Sequence, residues 1–318
     1  MPAFVETIIV VFALIAIGYG AAATRLVRPT TGDGLSDFVF TIAVPLLLFR
    51  TIATASFDHG LPFLMWCAYF ASVIVTWTTA HLVMSSVFGR DARAGVVSGV
   101  TAGFSNLVLL GVPFVTGIFG LPGLAVLSQL VSVHLPLMMI ASILLFDWAM
   151  RKDGESVQRA GVSAMVKSFL RQLLSNPLII GIFAGLATRA SGIEIPGVID
   201  RVIATLASVA GPVALFAIGV SLKGYGIGGQ IPQSLVVVGL KLVLMPGVML
   251  IMALLTGLPE LPAKVMVAAA SLPAGVNSWL IASRFGTGQR LASTAMTIGT
   301  ALAALTTGVW LVIADAVL

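Results

Sequence analysis

Stretches of about twenty apolar residues, the length that crosses a bilayer's hydrocarbon core as a helix, recur along this chain from one end to the other. They place spans at 4–23, 35–56, 62–88, 94–119, 122–147, 176–190, 198–221, 231–256, 262–286 and 290–316. Between them turn formers and charges cluster: Arg28-Pro29 to Gly34, Asp58-His59-Gly60, Arg90-Asp91, Leu121-Pro122-Gly123, Glu194-Ile195-Pro196, Gly224 to Gly229 and Leu258-Pro259-Glu260. A chain that is 58% hydrophobic and 9% charged cannot keep such a surface in water. The expected fold class is an all-α polytopic membrane protein with ten transmembrane helices. At the N-terminus Glu6 precedes the first apolar run and no positive region stands before it, so that run reads as a span rather than a cleaved signal.

The basic residues orient the spans. Arg25, Arg28, Arg90, Arg93, Arg151, Lys152, Arg159, Lys167, Arg171, Lys223, Arg284 and Arg290 follow odd-numbered spans, whereas Arg50, Arg189, Arg201 and Lys264 flank even-numbered loops. The positive-inside rule then puts the odd loops in the cytoplasm and both termini outside. The net charge of +5 reports this asymmetry and not a nucleic-acid surface, since the basic residues are spread over short loops. The hydrophilic stretch 148–175 divides the chain into a first five-helix repeat, 1–147, and a second, 176–318. Within it Lys167 to Leu174 mixes basic and apolar residues at helical spacing, as a plain linker or as a helix lying in the interface. The single cysteine, Cys67, lies in an apolar run and can form no internal disulfide.

Short matches support duplication. Ala23-Thr24-Arg25 pairs with Ala187-Thr188-Arg189 at an offset of 164. Pro45 with Leu48-Phe49 pairs with Pro212 and Leu215-Phe216 at 167, and Phe119-Gly120 pairs with Phe285-Gly286 at 166. Five spans per repeat oblige the second copy to enter from the opposite side, so the halves are inverted, the arrangement that underlies alternating access in secondary transporters.

The fourth and ninth spans are interrupted by residues that helices in lipid avoid. One carries Ser105, Asn106, Gly111 and Pro113; the other carries Ser271, Pro273, Gly275, Asn277 and Ser278. Proline removes a backbone donor, and the freed groups find partners only where the break lines a protein cavity. Half-helix ends then offer amides to an anion and carbonyls to a cation. Asn106 and Asn277 are binding candidates, with helix-to-helix hydrogen bonding as the alternative use of an intramembrane Asn.

The runs LSDFVFTIAVPLLLFRTIAT (35–54), SNLVLLGVPFVTGIFG (105–120) and SLPAGVNSWLIASRFG (271–286) resemble those of the auxin efflux carrier family, whose bacterial members include malonate- and malate-type permeases. The resemblance covers the whole chain in length, span number and central linker. It implies two inverted five-helix repeats, a scaffold of spans 1, 2, 6 and 7 that often dimerises, and a transport domain of spans 3–5 and 8–10. Broken helices 4 and 9 would cross at the prolines and hold an organic carboxylate such as malonate. The family's crossover positions map onto Asn106, Pro113, Pro273 and Asn277, with Gln129 and Ser278 as further lining candidates. The long cytoplasmic loop of plant members has no equivalent here.

Ionisable groups at membrane depth are functional candidates. Lys241 lies about 15 Å along its helix from the cytoplasmic edge. It balances an anionic substrate, replaces a coupling cation, or points into a wet crevice. His134, beside Ser128, Gln129, Ser132 and Pro136, either couples protons or is hydrogen-bonded and neutral in the bundle. Arg50 is expected at headgroups, and Trp66, Trp148 and Trp310 as interfacial anchors. HExxH, GxxxxGK[ST] and CxxC are all missing from the sequence, so no enzymatic activity, cofactor or metal is expected. The expected partners are a small organic anion, membrane lipids and a second copy of the chain, and the expected location is a bacterial inner membrane.

Overall fold

The computed structural model describes residues 3–54, 62–154, 171 and 174–318. Its described residues are almost entirely helical. In chain order they are α1 (Ala3–Ala23), α2 (Pro29–Phe38), α3 (Val44–Thr54), α4 (Phe63–Ser86), α5 (Ala92–Gly103), α6 (Val112–Lys152) and α7 (Pro177–Ser191). They continue with α8 (Gly197–Ser208), α9 (Ala210–Tyr225), α10 (Ile231–Gly239), α11 (Met245–Thr256), α12 (Glu260–Ser271), α13 (Val276–Arg284) and α14 (Gln289–Val317). The interfacial helix considered for Lys167 to Leu174 falls largely outside the described residues.

Seven helical stretches among the described residues are long and apolar enough to cross a membrane. Three features separate that number from the ten spans read from hydropathy. The fourth and fifth spans join in one stretch, Leu107–Lys152, because the corner at Gly120 keeps helix on both sides. Gly120 has φ 64° and ψ −160°, a backbone region open to glycine almost alone. The stretch Pro177–Ser191 is apolar but only 15 residues long. The ninth apolar segment is cut into α12 and α13 between Ser271 and Val276.

Three π-helical turns follow one rule. Val39–Ala43, Leu107–Gly111 and Leu240–Leu244 each end two residues before a proline, namely Pro45, Pro113 and Pro246. A proline ring collides with the carbonyl four residues back, and the wider turn opens room for it. The carbonyl that Pro246 leaves without an amide is that of Leu242, and the Trp310 indole N–H donates to it at 2.8 Å. Trp310, expected as an interfacial anchor, thus spends its indole N–H on a neighbouring helix. The local signal, an aromatic near a helix end, carries no information about a carbonyl orphaned elsewhere.

The contacts divide the chain into two units. The first comprises Met1–Gly60, Val108–Pro136 and Ala160–Gly224; the second comprises Leu61–Leu107, Leu137–Arg159 and Tyr225–Leu318. In the first unit helices meet backbone to backbone at glycines. Gly18 lies against the Phe216 carbonyl, and Gly185 faces the Phe49 carbonyl so closely that an added Cβ would sit 2.7 Å from it. In lipid such close van der Waals packing replaces the hydrophobic drive that operates in water. Arg50 makes a two-pronged pair with Asp200, at 2.8 and 3.2 Å, so its fork is matched to a carboxylate rather than left to headgroups.

A bulky side chain at either glycine must push these helices apart. Gly18→Leu and Gly185→Leu are expected to destabilise the folded protein by about 2 kcal/mol or more. Gly20→Ala, where a Cβ meets nothing, should leave stability unchanged. Thermal unfolding in detergent checks all three.

Candidate functional site

The break between α5 and the turn Leu107–Gly111, and the break between α12 and α13, run antiparallel to each other inside the second unit. Ser105 and Ala274 form an isolated β-bridge. The Asn106 N–H donates to the Pro273 carbonyl at 3.0 Å, and the Gly275 N–H donates to the Phe104 carbonyl at 2.9 Å. The local sequence accounts for the interruption of the ninth segment. Pro273 disfavours helix at the residue before it, and Leu272 is extended, with ψ 149°. Gly275, extended at φ −82° and ψ 161°, then starts α13. Two unravelled segments in a low-dielectric interior must satisfy their amides and carbonyls, and here they satisfy each other.

The two hydrogen bonds are equivalent under a shift of 169 residues, which carries Asn106 to Gly275 and Phe104 to Pro273. The same shift carries Ser105 to Ala274, its bridge partner. Asn106 is buried within the extended crossing, whereas Asn277 is half-buried in the first turn of α13. The prolines do not both mark the crossing. Pro273 is at the bridge, whereas Pro113 lies past the π turn on α6 and belongs to the first unit.

Two helix ends of opposite polarity flank the crossing. At the N-terminus of α13 the Ser278 N–H donates to the Gly275 carbonyl at 3.0 Å, which leaves the amides of Val276 and Asn277 with no carbonyl of their own helix to bond. Ser278 is fully buried, and its hydroxyl donates to the Gly275 carbonyl at 2.7 Å, so it braces the turn. The C-terminus of α12 presents carbonyls, and three side chains take them up. Ser271 donates to Ala268 O at 2.8 Å, Lys241 Nζ to Ala270 O at 2.6 Å, and Thr307 to Ser271 O at 3.2 Å.

Lys241 is 2% exposed and stands in the π turn Leu240–Leu244. Besides Ala270 O, its Nζ reaches Ser105 Oγ at 2.8 Å and Met245 Sδ at 3.1 Å. Ser105 Oγ also accepts from the Tyr69 hydroxyl at 2.9 Å. Lys241 does not point into a wet crevice; it bonds to both broken segments. Tyr69 and Ala270 were missed by the sequence reading. A buried tyrosine at mid-depth of α4 was the available sign of the first, and nothing local marked the second.

The remaining candidates lie in the first unit. Pro113 lines a cavity of about 600 Å3 with Thr116, Ser208, Gly211, Pro212 and Glu6 among its walls. Neither Gln129 nor His134 belongs to that lining. His134 is buried, at 3% exposure, and the Gln129 carbonyl accepts from Ser132 at 2.7 Å.

Comparison with known proteins places this architecture. Residues 3–311 match the family described as "Membrane transport protein". The chain belongs to that family. It is 30% identical, over 93% of its length and 91% of the relative's, to a protein of Rhizobium meliloti (strain 1021) named "Putative malonate transporter". It is 23% identical to "Auxin efflux carrier component 8" of Arabidopsis thaliana, over 89% of each chain. A mouse protein, "Lysosomal cholesterol signaling protein", is 26% identical over 70% of this chain, which corresponds to 26% of that longer protein. This member of the membrane transport family is thus a multi-pass, auxin efflux carrier-like transport protein, not an enzyme.

Ser105 serves two donors at once, so its loss should exceed that of either donor's neutral bond. Ser105→Ala is expected to cost about 1–3 kcal/mol, by stranding part of a buried ammonium's hydrogen bonding, and Tyr69→Phe less. Chemical denaturation of the two variants in matched detergent measures the difference.

Proposed function

We propose that this protein carries small organic carboxylate anions across a bacterial inner membrane, with the substrate held at the crossing of the two broken segments. The observation that carries the reading is the α13 N-terminus, whose first-turn amides and Asn277 lie beside Asn106 of the bridged segment. A helix N-terminus has partial positive charge and unused donors, which suits a carboxylate. Asn106 and Asn277 add neutral donors, so a substrate can be bound without permanently burying another charge. The names of two relatives, a malonate transporter and an auxin efflux carrier, support an organic acid as the class. The first of these favours malonate or a similar short dicarboxylate.

The mechanism in this reading is alternating access between two inverted five-helix repeats, ten spans in all, with both termini outside. One reciprocal relation supports two related halves: the glycine contacts exchange under a shift of 167, which carries Gly18 to Gly185 and Phe49 to Phe216. The helices of spans 1, 2, 6 and 7 would form a scaffold, and dimerisation through it completes the proposed assembly. The grouping of Met1–Gly60 with Ala160–Gly224 supports that scaffold, and the same unit also takes in Val108–Pro136 from spans 4 and 5. The moving part would be built on the bridged helices, Leu61–Leu107 and Tyr225–Leu318. Lacking a nucleotide-binding loop, the chain would draw on solute or ion gradients.

Uptake into proteoliposomes tests this. Wild type should show saturable malonate uptake with counterflow, and unsaturable conductance would instead indicate a channel. Asn106→Ala and Asn277→Ala are each expected to lower uptake about tenfold, equivalent to roughly one charge-assisted hydrogen bond. Full transport and binding by both variants would remove the substrate from the crossing.

A further inference from the structure

We propose that the Lys241 ammonium is the resident cation of the crossing, a covalently tethered counterpart of the inorganic ion that such a helix end would otherwise recruit. The inference rests on the crossing being the transport site. Its geometry separates two roles that the sequence left open. A lysine that balances substrate would approach the amide end of α13, where an anion is attracted. Lys241 instead bonds at 2.6 Å to the Ala270 carbonyl in the last turn of α12, the end of a helix that attracts cations.

The surroundings of Nζ have the character of a cation cage. The ammonium has three donors and three acceptors: the Ala270 carbonyl, the Ser105 hydroxyl and the Met245 thioether. None is a carboxylate, so a charge on Nζ would be met by dipoles alone, as that of a monovalent ion would be. Two of the acceptors belong to different broken segments, Ser105 to one and the last turn of α12 to the other. The ammonium therefore links the segments through their polar groups while the backbone bridge links them directly. Lys241 acts through the backbone it positions, and a mobile cation has no vacancy to fill while it is there.

The test replaces the tethered charge and offers a free one. Thermal unfolding of the purified protein is followed in sodium, potassium and choline chloride, without substrate. Wild type should be indifferent to the cation, whereas Lys241→Ala should unfold at lower temperature and be restabilised by sodium or ethylammonium, since a ligand bound only to the folded state raises stability. In proteoliposomes Lys241→Ala should lose about tenfold or more of its malonate uptake. Ethylammonium or sodium should return a measurable part of it, as no purely packing role would allow. Lys241→Arg should keep activity and Lys241→Met, which keeps bulk without charge, should lose it with no rescue.

Sodium-dependent stability in wild type would overturn the proposal. So would a Lys241→Ala protein that works undiminished without added cation, or whose defect no cation relieves. If the alanine variant does not accumulate, activity in Lys241→Arg but not in Lys241→Met supports the proposal, and any other pattern overturns it. A wild type that takes up no carboxylate would defeat the carrier reading alone, because the unfolding measurements use no substrate.

Discussion

A bilayer offers no hydrogen bonds to a peptide group, and the features described here follow from that prohibition. An intact helix meets it within itself. A broken one must find donors and acceptors elsewhere in the protein, and the cost of leaving even one buried group unpaired is about 1–3 kcal/mol. The crossing of Phe104–Asn106 with Pro273–Gly275 answers this with two reciprocal backbone bonds. The exposed carbonyls of α12 are answered by Ser271, Lys241 and Thr307, and the carbonyl freed by Pro246 by Trp310. These departures from regular helix are each matched by a named partner.

The same prohibition makes the departures chemically useful. Helix ends inside a membrane carry partial charges that bulk water does not screen. At the crossing, an amide end and a carbonyl end lie on either side of a short extended strand pair. One is suited to anions and the other is already taken by an ammonium. A polar site arises without any acidic residue, in a chain whose formal charges otherwise sit mostly at helix ends and loops.

Much of this was legible in the sequence, for identifiable reasons. Apolar runs of bilayer length located the helices, Gly120 followed by Pro122 marked a corner, and Pro273 with Gly275 marked a break. Each of these signals is local. The depth of Lys241 was also readable by counting residues along its helix. What could not be read was pairing across long separations. Ser105 meets Ala274, Arg50 meets Asp200, and Trp310 meets Leu242, and no periodicity encodes such partners.

The reciprocity of the bridge has a thermodynamic corollary. A carrier that works by letting its two halves trade conformations would trade the Asn106–Pro273 bond for the Gly275–Phe104 bond, which is of the same kind and nearly the same length. Such a hinge is isoenergetic with respect to facing in or out. It can hold the segments together through a cycle without favouring either face. In the proposed cycle any resting orientation would then originate where the two halves differ, and Lys241, bonded to both broken segments from the second half of the chain, is such a place at the pivot itself.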